Sequence, residues 1–142
     1  MRKNHIFLLA ALVSGQLGNA SAANDTRIAV ELPEMMREHM LSNMRDHLAT
    51  INEILAYLGD GELDKAAETA EFRLGMSSLE VHGASHLAGF MPEGMREAGT
   101  AMHRAASRFA LRAQEGGVLP AYRALSAVTA ACVACHSGYR LR

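Results

Sequence analysis

Cysteine is scarce in this chain: there are two in 142 residues. That is too few for a disulfide framework, and too few to close a structural zinc site that wants two ligand pairs. Both lie in one short stretch, so a bridge between them would close only a tiny loop and stabilise little. Prolines number three, and no segment alternates apolar and polar residues as a half-buried strand does, which argues against a sheet-built fold and for helices. Neither sign of charge dominates, with 14 Lys and Arg against 15 Asp and Glu for a formal net charge of −1. No basic patch stands out, so nucleic acid is not an expected partner. A Ser/His/Asp arrangement, a catalytic carboxylate pair and a phosphate-binding glycine loop are all missing, so no enzyme class is indicated. Repeats and low-complexity tracts are also absent, and the length suits one domain with a sizeable core.

What is present begins with an export signal. Arg2 and Lys3 precede a short apolar run from Ile6 to Val13, and Ala20-Ser21-Ala22 forms an A-x-A cleavage site. Residues 1–22 are therefore expected to be a signal peptide cut after Ala22, leaving 23–142 as the mature domain. The alternative, an uncut anchor, is disfavoured because the run is too short to cross a bilayer. No later segment is expected to span one either. Losing Arg2 and Lys3 leaves 12 Lys and Arg against 15 Asp and Glu, a net of about −3.

The mature region reads as four amphipathic helices joined by short connections. After a polar lead-in at 23–31, Leu32-Pro33-Glu34 starts a helix, with Pro suited to the first turn and Glu to the dipole. Its apolar seam is Leu41, Met44, Leu48, Ile51, Leu55 and Leu58, and Gly59-Asp60-Gly61 stops it. The second helix is expected over about 62–81, offering Leu63, Ala66, Ala67, Ala70, Leu74 and Leu79 to a core. Gly75 within it costs about 1 kcal/mol against Ala or permits a close approach. Residues 82–93 read as a loop folded back on the helices. The third helix spans about 92–114 with Met95, Ala98, Met102, Ala105 and Phe109 on one face and Arg112 closing it. The fourth runs from Leu119 or Pro120 to Tyr139, with Tyr122, Leu125, Val128, Thr129, Cys132, Cys135 and His136 at the same steps. The expected fold class is all-α, an antiparallel four-helix bundle.

The chemistry sits near the end of the last helix, in Cys132-Val133-Ala134-Cys135-His136. Cys-x-x-Cys-His is the attachment signature of a c-type haem. Two thiols three positions apart on a helical turn can form thioethers with the two vinyl groups of one porphyrin. The adjacent His136 imidazole then reaches the iron from the proximal side. A redox dithiol shares Cys-x-x-Cys and is the weaker reading, since the added histidine has no part in it. Export supports the haem reading, because bacterial haem attachment takes place outside the inner membrane.

Four helices with this motif on the last one resemble the class II c-type cytochromes, the cytochrome c′ family. The resemblance covers roughly Leu32 to Arg142. Its specific part is the Cys132, Cys135, His136, Tyr139, Arg140 ending, and no methionine follows His136 as it would in class I cytochromes c. The resemblance implies one covalent haem c on the C-terminal helix. It also implies Arg37 near a haem propionate, and a first helix that supplies whatever faces the distal side of the iron. Two alignments of that helix differ. One puts Leu41 over an open, five-coordinate iron. The other puts the Met40 thioether on it as a sixth ligand. Arg140 is a further candidate propionate contact. Pairing of two copies through the first two helices is also implied.

Other residues also bear on the chemistry. His82 and His86 have metal-ligand spacing for a helix, but Gly83 and Ser85 between them favour a loop and ordinary polar histidines. His39, His47 and His103 are scattered along helices, with His47, two turns from Met40, the one expected nearest the haem edge. Copper handling by the many Met and His residues lacks a clustered Met-x-x-Met run. The expected function is that of a periplasmic one-electron carrier between redox partner proteins, not an enzyme. The alternative is a five-coordinate haem protein that binds a diatomic gas such as NO or CO.

Overall fold

The computed structural model describes residues 25–142; the expected signal peptide, 1–22, lies outside the described residues. The chain is mostly helical, so the all-α expectation holds. In order come β1 (Ile28–Val30), α1 (Glu34–Gly59), α2 (Leu63–Arg73), a 3-10 turn (Met76–Ser78), α3 (Ala84–Ala88), α4 (Glu93–Gln114), α5 (Val118–Gly138) and β2 (Tyr139–Leu141).

The ends of α1 follow the sequence signals. Pro33 sits just before the helix with φ −50°, Glu34 is in the first turn, and Gly61 at φ 76° turns the chain beyond Asp60. Its buried face differs from the expected seam. Met40, His47, Thr50, Ile54 and Leu58 are buried, whereas Leu41, Leu48 and Leu55 are 36%, 70% and 41% exposed. The helix is turned by about one position, ~100°, from the leucine seam. The cause is the partner surface. His82 and His103 present polar groups to His47 of α1, and the buried Thr50 hydroxyl donates to the Asp46 carbonyl of its own helix at 2.8 Å, so His47 and Thr50 are buried where an apolar pattern alone would place leucines.

The second helix is shorter than expected, ending at Arg73 rather than near Val81. Glu71 causes the break. Its carboxylate folds back to accept from the Ser77 amide and hydroxyl, at 3.2 and 2.6 Å. A Cβ on Gly75 would lie 2.7 Å from the Glu71 carbonyl oxygen, so only glycine allows that approach. The expected loop at 82–93 contains the single-turn helix α3, entered through Gly83 at φ 61°. The expected polar lead-in contains β1, which pairs in parallel with β2: Ile28 with Tyr139, Ala29 with Arg140, Val30 with Leu141. The two ends of the described chain are thus strapped together immediately after the Cys-x-x-Cys-His motif. On α4, Met95, Met102, Ala105 and Phe109 are buried as expected, with Ala98 half-buried, but Arg112 is exposed and pairs with Glu115. On α5, Leu125 and Val128 are buried while Tyr122 is 40% exposed.

Helix α5 also corrects a sequence expectation. Val118–Gly138 is long and apolar enough, by length and composition, to cross a membrane, with a hydropathy of 1.5. Its valines and leucines are interspersed with alanines and polar residues, so they do not stand out as an unbroken run. Its Ala121, Leu125 and Val128 are buried against the core.

Two apolar clusters form. The larger joins Ile54, Leu58, Ala66, Ala67, Ala70, Leu74, Met102, Phe109, Leu125 and Val128, with Cys132 packed on its edge. The smaller joins Val30, Leu32, Met40, Leu87 and Met95, with Cys135 and Tyr139 at its edge. Alanines at 66, 67, 70, 105, 106, 110, 113 and 121 let α4 approach α2 and α5 closely in the larger cluster. Replacing fully buried Phe109 by Ala should cost about 3–5 kcal/mol in urea unfolding. Leu48→Ala, on the exposed stripe of α1, should change stability by no more than about 0.5 kcal/mol. Equal losses at both positions would mean that the expected leucine seam is the true core face.

Candidate functional site

Between the smaller cluster and the last turns of α5 lies a cavity of about 420 Å³. That is within the range of small-molecule and cofactor sites. Its walls bring together Arg37, Met40 and Leu41 from α1, Cys135 and His136 from α5, and Arg140 from β2. Residues separated by about a hundred positions in the chain therefore face one space. Cys132 is not among the lining residues. It is half-buried one turn earlier on α5, against the larger cluster.

Each side of the cavity has its own chemistry. His136 is exposed at the cavity's edge. Met40 is only 7% exposed and packs in the smaller cluster, whereas Leu41 is 36% exposed, though both line the space. Met44, Met91, Met95 and Met102 complete a flexible, polarizable apolar wall. Gly99 leaves room on α4, and Tyr139 closes one edge. Its hydroxyl lies where a Cβ on Gly94 would come within 2.5 Å, so the bare backbone of Gly94 is what lets it approach.

Three guanidinium groups, of Arg27, Arg37 and Arg140, line the same cavity. Arg27 was not anticipated; its only sequence signal is a cation in the lead-in strand, and strand pairing brings it here. It bonds Asp25 through Nε and Nη2 at 2.9 and 2.8 Å and donates from Nη1 to the His136 carbonyl at 3.4 Å. That pairing holds the Asp25 carboxyl down at about 2. Arg140 Nε is buried without a hydrogen-bond acceptor, although Asp25 Oδ2 lies 3.4 Å away in poor bonding geometry. A buried, unsatisfied guanidinium nitrogen in a cavity wall is a group that an anionic ligand would complete.

The two thiols are free. Burial raises both above the ordinary thiol range, and Cys132 adds to the effect on Cys135. Such thiols are poor nucleophiles, the opposite of a redox-active dithiol.

The remaining wall is a buried layer of histidine. His47, His82 and His103 have ring centroids 4.7, 5.8 and 5.6 Å apart, and all three line the cavity. The pairing of His82 with His86 does not form, since His82 is buried in the turn before α3 and His86 is exposed on α3. His47, expected near a haem edge, lines the cavity, and His103, read as one of several scattered histidines, joins it from α4. Among the described residues, no three His, Cys, Asp or Glu side chains are grouped to hold a metal ion. The trio is instead tied to its surroundings. His47 Nε2 lies 3.4 Å from His82 Nδ1, Ser78 Oγ lies 3.3 Å from His82 Nδ1, and His103 Nδ1 is 2.7 Å from the Leu74 carbonyl.

Of the groups a covalent haem would need, the cavity presents one thiol, Cys135, the His136 imidazole and the guanidinium groups of Arg27, Arg37 and Arg140, while the second thiol, Cys132, lies one turn away outside the lining. The fit rests on the donor set and on the unsatisfied Arg140 nitrogen. Comparison with known protein families, with curated proteins and with solved structures finds no match to this chain.

Burial holds the His47 ring well below the ordinary imidazole range, at about 4, with repulsion from His82 and His103 adding to it and Asp46 opposing. In the unfolded chain the ring titrates near 6.5. The folded value is the lower one, so the unfolded state takes up the proton first. Stability is full above about pH 6.5 and declines as the pH falls towards 4. Between pH 7 and 4 the wild type should lose roughly 2 kcal/mol more than His47→Gln in urea unfolding. Parallel acid profiles for the two proteins would contradict this account of His47.

Proposed function

We propose that the chain is an exported c-type cytochrome, resembling the cytochrome c′ family, that carries one covalent haem c and transfers single electrons between periplasmic redox partners. In this reading residues 1–22 direct export and are removed, and α1, α2, α4 and α5 form an antiparallel four-helix bundle around the cofactor. Cys132 and Cys135 hold the porphyrin through thioethers, and His136 is the proximal iron ligand. Arg37 and Arg140, with Arg27 added from the strap, neutralise the propionates.

The observation that carries the reading is the single cavity lined by Cys135, His136, Met40, Arg37 and Arg140 together. A thiol-redox role would need an acidified thiol, whereas both cysteines are shifted the other way. The haem supplies the one-electron couple. The protein's part is to fix one axial position, line the ring with methionine and leucine side chains, and limit water, which together set the potential.

On the distal side, Met40 is the better-supported ligand, because it is buried in the wall while Leu41 is partly exposed. The gas-binding alternative keeps one observation in its favour: Leu41 also lines the cavity, so an apolar group is at hand to roof an open iron. The exposed stripe of Leu41, Leu48 and Leu55 on α1, with Phe72 63% exposed on α2, is consistent with pairing of two copies through these helices.

Absorption spectra of the mature protein, oxidised and reduced, with and without CO, test the assignment. The carrier reading predicts a low-spin reduced spectrum with a sharp α band that CO leaves unchanged, and a Met40→Ala protein that becomes high-spin and binds CO. A wild type that is already high-spin and CO-binding would select the gas-binding reading. A low-spin Met40→Ala protein would eliminate Met40 as the ligand.

A further inference from the structure

The buried histidine layer is not needed to hold a haem, and its arrangement points to a role of its own. Along α1, His47 falls between Met44, which belongs to the smaller cluster, and Ile51, which packs on the larger one. Along α4, His103 follows Met95 of the smaller cluster and adjoins Met102 of the larger one. The layer therefore lies where the two clusters meet, and its three rings are buried whereas His136 is exposed.

Hydrogen-bond bookkeeping fixes the protons. The single Ser78 hydroxyl proton is donated to the Gly75 carbonyl at 2.8 Å, so towards His82 Ser78 Oγ acts as an acceptor. His82 Nδ1 must then carry a proton, and His47 Nε2, 3.4 Å from it, accepts. His103 Nδ1 donates to the Leu74 carbonyl. As an acceptor at Nε2 His47 is neutral, and His82 Nε2 and His103 Nε2 make no hydrogen bond within the protein, so each is free to hold a proton.

We propose that His47, His82 and His103 act as one proton-binding site that takes up a single proton from solvent when the cavity's redox centre accepts an electron. The inference rests on the haem reading above. The electron comes from a one-electron donor protein, and the proton offsets its charge, so the net charge buried in the cavity stays constant. In a low-dielectric interior a positive iron disfavours an imidazolium nearby, and reduction removes that penalty. Rings about 5 Å apart repel strongly when charged, so one proton serves the trio and they titrate as a unit.

The charged groups facing the trio leave room for this. Asp46 on α1 is the acid whose field reaches His47 and His82, and it is held by Arg73 of α2, which also bonds Glu53. His39 bonds the His82 carbonyl at 2.9 Å and adds a small opposing field. From the 3-10 turn the facing side chain is the uncharged Ser78. Arg37, His136 and Arg140 line the same cavity from the other elements. Burial pushes all three rings of the trio below the ordinary imidazole range, which puts uptake on the acid side of neutrality.

The test is the midpoint potential of the haem-loaded protein against pH. The wild type should show a potential that falls as pH rises through about 4 to 7. The slope should approach a tenfold change in the redox equilibrium per pH unit, ~59 mV for one electron. The His47→Gln, His82→Asn, His103→Asn triple variant removes every ring of the site and should give a nearly flat profile. A pH-stat measurement of proton uptake on reducing the wild type checks the same site without any variant, and should read close to one proton per haem near the middle of the window. A pH-independent wild-type potential, no uptake on reduction, or a variant with the wild-type slope would each overturn the proposal. A chain that carries no covalent haem fails earlier, in the reduced absorption spectrum, and that outcome defeats the underlying reading instead.

Discussion

The gap between α1 and the end of α5 is the constraint on which the rest depends. Alanine lets α4 close on α2 and on α5 around Phe109, but α1 barely touches α5. Helices pack where ridges find grooves, and here the intervening volume is lined by methionines, arginines and histidines rather than filled. The cavity, about 420 Å³, is within the size range of small-molecule and cofactor sites. Covalent attachment is a direct way to keep a flat, apolar cofactor in a cavity that is open at one side.

The same gap explains the odd face that α1 buries. A helix with leucines at 41, 48 and 55 would ordinarily turn them inward. Here Met40 and His47 are turned inward, because the opposing wall offers methionine sulfur and imidazole nitrogen rather than a dry aliphatic surface. The stripe left outside is then available to another surface. The parallel pairing of Ile28–Val30 with Tyr139–Leu141 closes the remaining side and carries Arg27 and Arg140 to the mouth. Local choices by short segments thus serve one site.

Much of this was legible in the residues. The ends of α1 and α4 follow from Pro33, Gly61, Pro92 and Gly116, because caps and stops are local chemistry. Of the residues named with the Cys132 to His136 motif, Cys135, His136, Arg37, Met40 and Arg140 line one cavity, and Cys132 does not. What was not legible depends on contacts distant in the chain. The shortened α2 comes from Glu71 reaching Ser77 across Gly75. The strap is a parallel pairing of two three-residue segments more than a hundred positions apart, with no alternation to betray it. The histidine layer joins three helix or turn positions whose separate spacings carry no message. Apolar periodicity chose leucines for the core face of α1 because it cannot register a polar partner across the interface.

The central claim is that iron porphyrin is bonded to Cys132 and Cys135. Intact-mass spectrometry of the exported chain, produced together with a haem-attachment system and denatured in acidified organic solvent, tests it most directly. The account predicts a polypeptide beginning at Ala23 whose mass is that of residues 23–142 plus one haem. A bare polypeptide mass, with any red colour released into the solvent, would contradict it.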